Sequence, residues 1–314
     1  MTRVLITGVS GLLGINFALQ IADQHQVFGV YQHKALQGTP FKAFQADLTV
    51  PGEVEKVFEL TNPELVINCA AMANLDRCEQ FPVLAEEINT HLPARLARLA
   101  RLSGARLVHI STDAVFDGLK GAYREGDAAN PACVYAHTKY EGEVRVQQEN
   151  PQALIARVNF YGSSISGKRS LAEWFYNNLK AQQPMMGFID VFFCPLFVDH
   201  LVEKIWQMAE KELSGVYHVV GSECLSKYDF GVSLARLFDL DETLITPASW
   251  HDAGLKVARS PNLCLDTSRV QAALGESMPG LMPGLLAYKK KVEQGYPEQV
   301  KAFLANEKEV FHGS

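Results

Sequence analysis

A strand-length run, RVLIT at residues 3–7, stops at Gly8, and Gly11 and Gly14 follow while apolar residues recur at helical spacing over residues 12–24. This strand, turn and helix constrain the fold more than any other feature of the chain. The turn reads Gly8-Val9-Ser10-Gly11-Leu12-Leu13-Gly14. Gly8 permits the tight turn, Gly11 removes the Cβ that would hold a pyrophosphate away from the backbone, and Gly14 lets a helix pack closely on a strand. The first N–H groups of such a helix have no partner inside it and face an anion at its N-terminus. A dinucleotide is the expected ligand.

The alternation continues. Strands are expected at residues 26–31, 41–46, 65–71, 106–111 and 153–158, with helices at 54–60, 83–102 and 134–148 between them. Repeated βαβ units make an α/β fold on a doubly wound parallel sheet. LVINCAA at 65–71 is almost wholly apolar, as a strand buried on both faces must be. Beyond residue 158 the pattern weakens to helices at 170–181, 198–213 and 227–237 and a strand at 216–220. The nucleotide-binding domain is therefore expected over 1–158 and a smaller lobe over 159–314, with the segment around 198–220 returning to the sheet.

Composition excludes several classes. Among 314 residues, 29 lysines and arginines face 35 acids, a formal charge of −6 without a basic block, so no nucleic-acid partner is expected. No uncharged apolar stretch approaches the roughly 18 residues needed to span a bilayer. The start, MTRVLITG, has no secretory pattern, and a soluble, cytoplasmic chain without a membrane partner is expected. The six cysteines lack a C-x-x-C and the nine histidines lack ligand-pair spacing, so neither a disulfide framework nor a metal site is expected.

Tyr135 and Lys139 stand four residues apart, on one face of the helix expected at 134–148. An ammonium beside a phenol lowers its pKa from about 10, so that it can exchange a proton with a carbonyl or alkoxide oxygen near neutral pH. The strand before this helix ends in Ser111-Thr112, and open α/β sheets place their ligands at the carboxyl ends of the strands. Thr112 offers a hydroxyl to hold a carbonyl beside Tyr135. The three residues suit carbonyl reduction.

The G-x-x-G-x-x-G spacing resembles the short-chain dehydrogenase/reductase superfamily, and the chain length its extended branch. The resemblance implies a Rossmann-type sheet and a nicotinamide cofactor held by Gly8, Ser10, Gly11, Leu12, Leu13 and Gly14. The second strand closes with Tyr31-Gln32-His33-Lys34, which has no acid for a ribose 2′-hydroxyl and offers cations instead. NADPH is expected, with NADH the alternative. Asp47 and Leu48 match the superfamily position where an aspartate meets the adenine. Ala70 and Ala71, in VINCAA, resemble the motif beside the cofactor, and Asn89 sits where the superfamily often carries a structural or catalytic asparagine.

Residues 110–118, ISTDAVFDG, closely resemble the ISTDYVFDG segment of the dTDP-4-dehydrorhamnose reductase family. RVNFYG at 157–162 and LCLDTSR at 263–269 agree with it. The resemblance implies that the 159–314 lobe binds a sugar nucleotide and that a 4-keto group on that sugar is reduced. Tyr135 then donates the proton, Lys139 also grips the nicotinamide ribose, and Thr112 orients the carbonyl. It implies a homodimer through helices 83–102 and 134–148, with Leu84, Ile88, Leu92 and Val144 at the contact.

The chain also departs from that family. Ala114 replaces its usual tyrosine, CPLFVDH at 194–200 follows its pattern loosely, and MMGFIDVFF at 185–193 is unusually apolar and is read as core or dimer packing. A dehydratase of the superfamily has Asp-Glu after the threonine, where this chain has Asp113-Ala114. A 4-epimerase that holds NAD tightly is disfavoured by the missing acid after the second strand. A non-catalytic regulatory subunit is the other reading, because the beta subunit of methionine adenosyltransferase resembles the same family.

Overall fold

The computed structural model describes residues 1–254 and 260–305. The first half runs β1 (Arg3–Thr7), α1 (Leu12–Ile21), β2 (Gln26–Tyr31), β3 (Lys42–Gln45), α2 (Glu53–Thr61) and β4 (Leu65–Asn68). Then come α3 (Leu75–Gln80), α4 (Pro82–Glu86), a π-helical turn (Glu87–His91), α5 (Leu92–Ser103), β5 (Arg106–Thr112), α6 (Val134–Glu149) and β6 (Leu154–Val158). The rest contains β7 (Phe160–Tyr161), α7 (Leu171–Lys180), β8 (Met185–Phe188), β9 (Phe192–Phe193), β10 (Leu196–Phe197), α8 (Val198–Glu210) and β11 (Gly215–Val219). It closes with β12 (Leu225–Ser226), α9 (Lys227–Leu237), β13 (Ile245–Ala248), α10 (Ser268–Leu274), α11 (Leu281–Glu293) and α12 (Tyr296–Ala302).

Seven parallel strands form one sheet in the order β11-β6-β5-β4-β1-β2-β3. Successive strands run outward from β1 in one direction and from β4 in the other, so the carboxyl ends of β1 and β4 flank the topological switch point where such sheets bind ligands. Residues alternate between two cores along each central strand. Val4, Ile6, Ile67 and Val108 pack on one face, and Leu5, Val66, Leu107 and Ile155 on the other. Burial on both faces accounts for the nearly unbroken apolar runs.

The later segments interleave with the first half. α8 packs on α1, with Trp206 edge-on to Phe17 at 6.5 Å, and β11 extends the sheet beside β6, so the 198–220 segment does return. The C-terminal end also returns. Tyr296 donates to Asn16 Oδ1 at 2.8 Å, and Leu304 bridges Leu36 between β2 and β3. The remaining part is built on three two-stranded ribbons, β10-β7, β12-β9 and β13-β8, with α7 and α9 beside them.

Three expectations are corrected. The helix expected over 83–102 is interrupted by the π-helical turn, because Pro93 has no N–H to give to the Asn89 carbonyl four residues back. The Leu92 N–H reaches instead to Glu87 O, five residues back, and the extra residue turns Leu92 inward to 2% exposure. Leu92 is therefore unavailable for a dimer contact. Cys224 and Cys264 form a disulfide with Cα atoms 5.5 Å apart, although 40 residues separate them in sequence. Pairing of β12 with β9, and of Phe192 with Asn262, brings the two loops together, and no local spacing announces it.

Candidate active site

The glycine turn stands at the switch point. Gly8 has φ of +65°, and a Cβ there would lie 2.8 Å from the Ala70 backbone, so neither its conformation nor its surroundings admit a side chain. At Gly14 a Cβ would meet Gly8 O at 2.5 Å, which confirms the packing role expected of it. Gly11 is the N-cap of α1, and no side chain caps that end. The first amides of α1 are thus available to an anion. Leu12 and Leu13 send their side chains into the core, leaving only their backbone to the turn. Ser10 and Ala70 are half-buried and Ala71 is exposed at the rim.

The ends of β2 and β3 carry the next group. Tyr31 packs half-buried on the core, and His33 is exposed. Burial pulls the Lys34 ammonium below its usual range, and the guanidinium of Arg169 adds to the effect. Arg169, from the loop before α7, thus joins Lys34 in a positive patch that the sequence did not reveal. Asp47 makes a local turn, accepting from Thr49 N at 3.0 Å and Thr49 Oγ1 at 2.6 Å. Burial works to raise its pKa, but these bonds, together with Gln32 and nearby His33, hold it below the ordinary carboxylate value. Leu48 is 6% exposed, in the second core.

At the ends of β5 and α6 the expected trio comes together. The Tyr135 phenol hydrogen-bonds to Thr112, and Thr112 Oγ1 in turn donates to Asp113 Oδ1 at 3.1 Å. Lys139 is buried, with Nζ 2.6 Å from Ile110 O and 3.5 Å from His109 Nε2. Burial holds its ammonium down to about 8, against the opposing fields of Glu143 and Cys69. The expected lowering of the phenol is corrected. Burial pushes Tyr135 well above its usual range and the Asp113 carboxyl adds to this, while the lysine is turned to the Ile110 carbonyl.

Asp113 was not singled out in the sequence. Burial raises its carboxyl to about 6, opposed chiefly by hydrogen bonds from Asn159 and Thr112 and by the field of Lys227. Beside it lies a cavity of about 130 Å³, lined by Ala114, Cys133, Asn159, Val191, Phe192 and Lys227, among others. The apolar stretch expected to be core or dimer packing divides. Met185 and Phe193 are core, Met186 and Ile189 are about half exposed, and Val191 to Phe193 wall this cavity.

Asn89 stands in the π-helical turn, fully buried. Its Oδ1 accepts from Met72 N at 2.9 Å, and its Nδ2 reaches Met72 O and Thr138 Oγ1, each at 3.1 Å. Its amide is thus engaged with the loop after β4 and with α6, and it acts on the site by holding those two elements. Among the described residues no group of histidines, cysteines and acids could hold a metal, and no helix is long and apolar enough to cross a membrane.

Residues 1–293 match the family described as the RmlD substrate binding domain. The chain belongs to this family. A probable low-salt glycan biosynthesis reductase of Haloferax volcanii is 32% identical over 287 residues, 90% of this chain and 95% of its own length. A methionine adenosyltransferase 2 subunit beta of Bos taurus is 30% identical over 88% of this chain and 84% of its own. A solved dTDP-4-dehydrorhamnose reductase from Clostridium acetobutylicum superposes with a TM-score of 0.80 at 28% identity, covering 92% of this chain and 99% of that one. By family the chain is an NAD(P)-dependent oxidoreductase of the extended short-chain type.

Within this RmlD-family framework, sequence reasoning found the turn and the trio and missed Asp113, Asn159, Arg169 and His109. The first two lie inside segments already singled out, STD and RVN, and their polarity at strand ends was the available signal. Arg169 gave none, since only the folded chain brings the loop before α7 to the end of β2. His109 looked like an ordinary member of an apolar strand.

Proposed function

We propose that this RmlD-family chain uses NADPH to reduce the 4-keto group of a sugar bound to a nucleoside diphosphate. The observation that carries the reading is the Thr112–Tyr135 hydrogen bond, set beside buried Lys139 and next to an open cavity lined by Ala114, Cys133 and Asn159. The glycine turn fits the cofactor, because the close backbone packing at Gly8 and Gly14 sets the turn against the start of α1 and that end has no side-chain cap. Gly8, Ser10, Gly11, Ala70 and Ala71, with the amides of Leu12 and Leu13, would hold the dinucleotide, and Asp47 and Leu48 its adenine end. His33, Lys34 and Arg169 would face a 2′-phosphate. Bound there, the cofactor supplies a hydride.

Tyr135 gives its proton from Oη to the carbonyl oxygen, and Thr112 holds that oxygen in line. Lys139, which does not lower the resting phenol, would grip the nicotinamide ribose and neutralise the phenolate as its proton leaves. The second part of the chain, with Asn159, Val191, Phe192 and Lys227 at the cavity, receives the sugar. A homodimer is proposed through α4 and the faces of α5 and α6, where Phe81, Val83 and Leu84 are 46%, 79% and 38% exposed.

The deciding experiment is turnover of NADPH with a panel of 4-keto sugar nucleotides, for the wild type and Tyr135→Phe. The variant should keep its NADPH affinity and lose roughly 10²- to 10⁴-fold in turnover. A wild type that binds NADPH, oxidises none of it and is indistinguishable from Tyr135→Phe favours the regulatory reading. Similarity to a methionine adenosyltransferase subunit supports that second reading.

A further inference from the structure

The ends of β1 and β4 and the middle of β5 place a polar row inside an otherwise apolar sheet. Thr7, Asn68 and His109 are register partners across β1, β4 and β5, and all three are wholly buried. Thr7 Oγ1 donates to Asn68 Oδ1 at 2.6 Å, Asn68 Nδ2 lies 3.0 Å from His109 Nδ1, and His109 Nε2 lies 3.5 Å from Lys139 Nζ. Apolar residues would fill these positions without the cost of burying polar groups. The row leads to Lys139, the lysine of the proposed catalytic trio.

We infer that Thr7, Asn68 and His109 form a reversible hydrogen-bond chain that holds Lys139 in place in both of its charge states. The inference rests on the reading of Lys139 as the partner of Tyr135. Hydrogen-bond direction supplies the argument. With Asn68 Nδ2 donating to His109 Nδ1, the single proton of the neutral ring sits on Nε2 and points at Lys139, where a neutral amine can accept it. An ammonium would there meet another donor. Turning the Asn68 amide over presents Oδ1 to the ring, moves the ring proton to Nδ1 and leaves the Nε2 lone pair for the ammonium. Thr7 accommodates either orientation, because a hydroxyl both donates and accepts.

The ring stays neutral throughout. Burial, with the Lys139 ammonium beside it, holds His109 well below its usual value. The other groups facing Lys139 are Glu143 from its own helix, Ile110 O from β5 and Cys69 beyond β4. Burial pushes the Cys69 thiol up to about 12, so among these groups the field that favours the ammonium comes from Glu143. The imidazole therefore answers Lys139 by changing tautomer. Its role is that of a positioning residue.

The test is nitrogen NMR of the imidazoles in the full-length protein, with the His109 signal assigned by its loss in His109→Gln. The wild type should carry the Nδ1–H tautomer at pH 6.5 and Nε2–H at pH 9.5, on either side of the lysine's titration, whereas Lys139→Met should carry Nε2–H at both. A single tautomer in the wild type at both pH values overturns the inference. A second readout is the pH profile of kcat/KM. Loss of the acceptor in His109→Phe should move the alkaline limb about one unit toward acid, and His109→Gln, which keeps an acceptor, should restore it. Lower activity in His109→Phe with an unmoved limb would mean a structural role only and also overturns it. A wild type with no turnover defeats the proposed reaction instead, and the tautomer measurement then decides this inference alone.

Discussion

Replacing Arg157 with methionine should make the stability of the protein fall steeply between pH 5 and pH 7. In the native chain Glu143 accepts from Ser111 Oγ and from Arg157, whose Nε and Nη2 lie 3.0 and 2.7 Å from its carboxylate. The two side chains are 3% and 5% exposed. Methionine retains much of the packing but leaves a buried carboxylate with one neutral donor, and such a group folds protonated rather than charged. Protonating a glutamate, of reference pKa about 4.3, costs about 1.36 kcal/mol per pH unit, hence about 3.7 kcal/mol at pH 7 and about 1 kcal/mol at pH 5. The variant takes up a proton on folding that the wild type does not, so its deficit grows as pH rises above the unfolded glutamate's value. The guanidinium also stacks on Phe116, 5.0 Å from the ring centre, and its loss adds about 1 kcal/mol at every pH. Urea unfolding should therefore give a deficit of about 5 kcal/mol at pH 7 and about 2 kcal/mol at pH 5. Adding Glu143→Leu to the variant should recover most of the deficit and flatten its pH dependence. An equal deficit at both pH values would refute the reasoning, because Glu143 would not be the group left unpaired.

Gly8→Ala should abolish tight NADPH binding, measured by calorimetry, since its Cβ would meet the Ala70 backbone at 2.8 Å with φ at +65°. NADPH should bind more tightly than NADH, and Lys34→Ala with Arg169→Ala should narrow the gap; equal affinities in the wild type would remove the argument. Thiol titration of the denatured, unreduced chain should count four cysteines, and six after reduction, because Cys224 and Cys264 are joined. Sedimentation at micromolar concentration should show a dimer that Leu84→Glu dissociates.

The parallel sheet was legible because its strands are buried on both faces, and the glycine turn because its backbone admits no alternative residues. Tyr135 and Lys139 were legible because one helix fixes their spacing. What stayed hidden depends on neighbours from elsewhere in the chain. The phenol's titration is set by burial and by Asp113 rather than by the lysine four residues away. Arg169 reaches Lys34 from the other side of the sequence, and the Cys224–Cys264 link needs the strand pairing that closes two loops on each other. Pro93, by contrast, was a visible warning. A proline inside a helical pattern breaks its hydrogen-bond ladder, and the continuous helix expected over 83–102 ignored it.

The π-helical turn makes one residue dispensable for the helix and indispensable for what surrounds it. Deleting a single residue from 87–91 would restore a regular spiral, yet each residue of helix is about 100° of rotation. Everything upstream would swing by that angle around the axis. The apolar stripe of Val83 and Leu84 would be aimed elsewhere, and the amide of Asn89 would lose its grip on Met72 and Thr138. A shortened chain could thus fold with a better helix and a worse site, and engineers trimming this segment for stability should expect surface pairing and cofactor affinity to fail together.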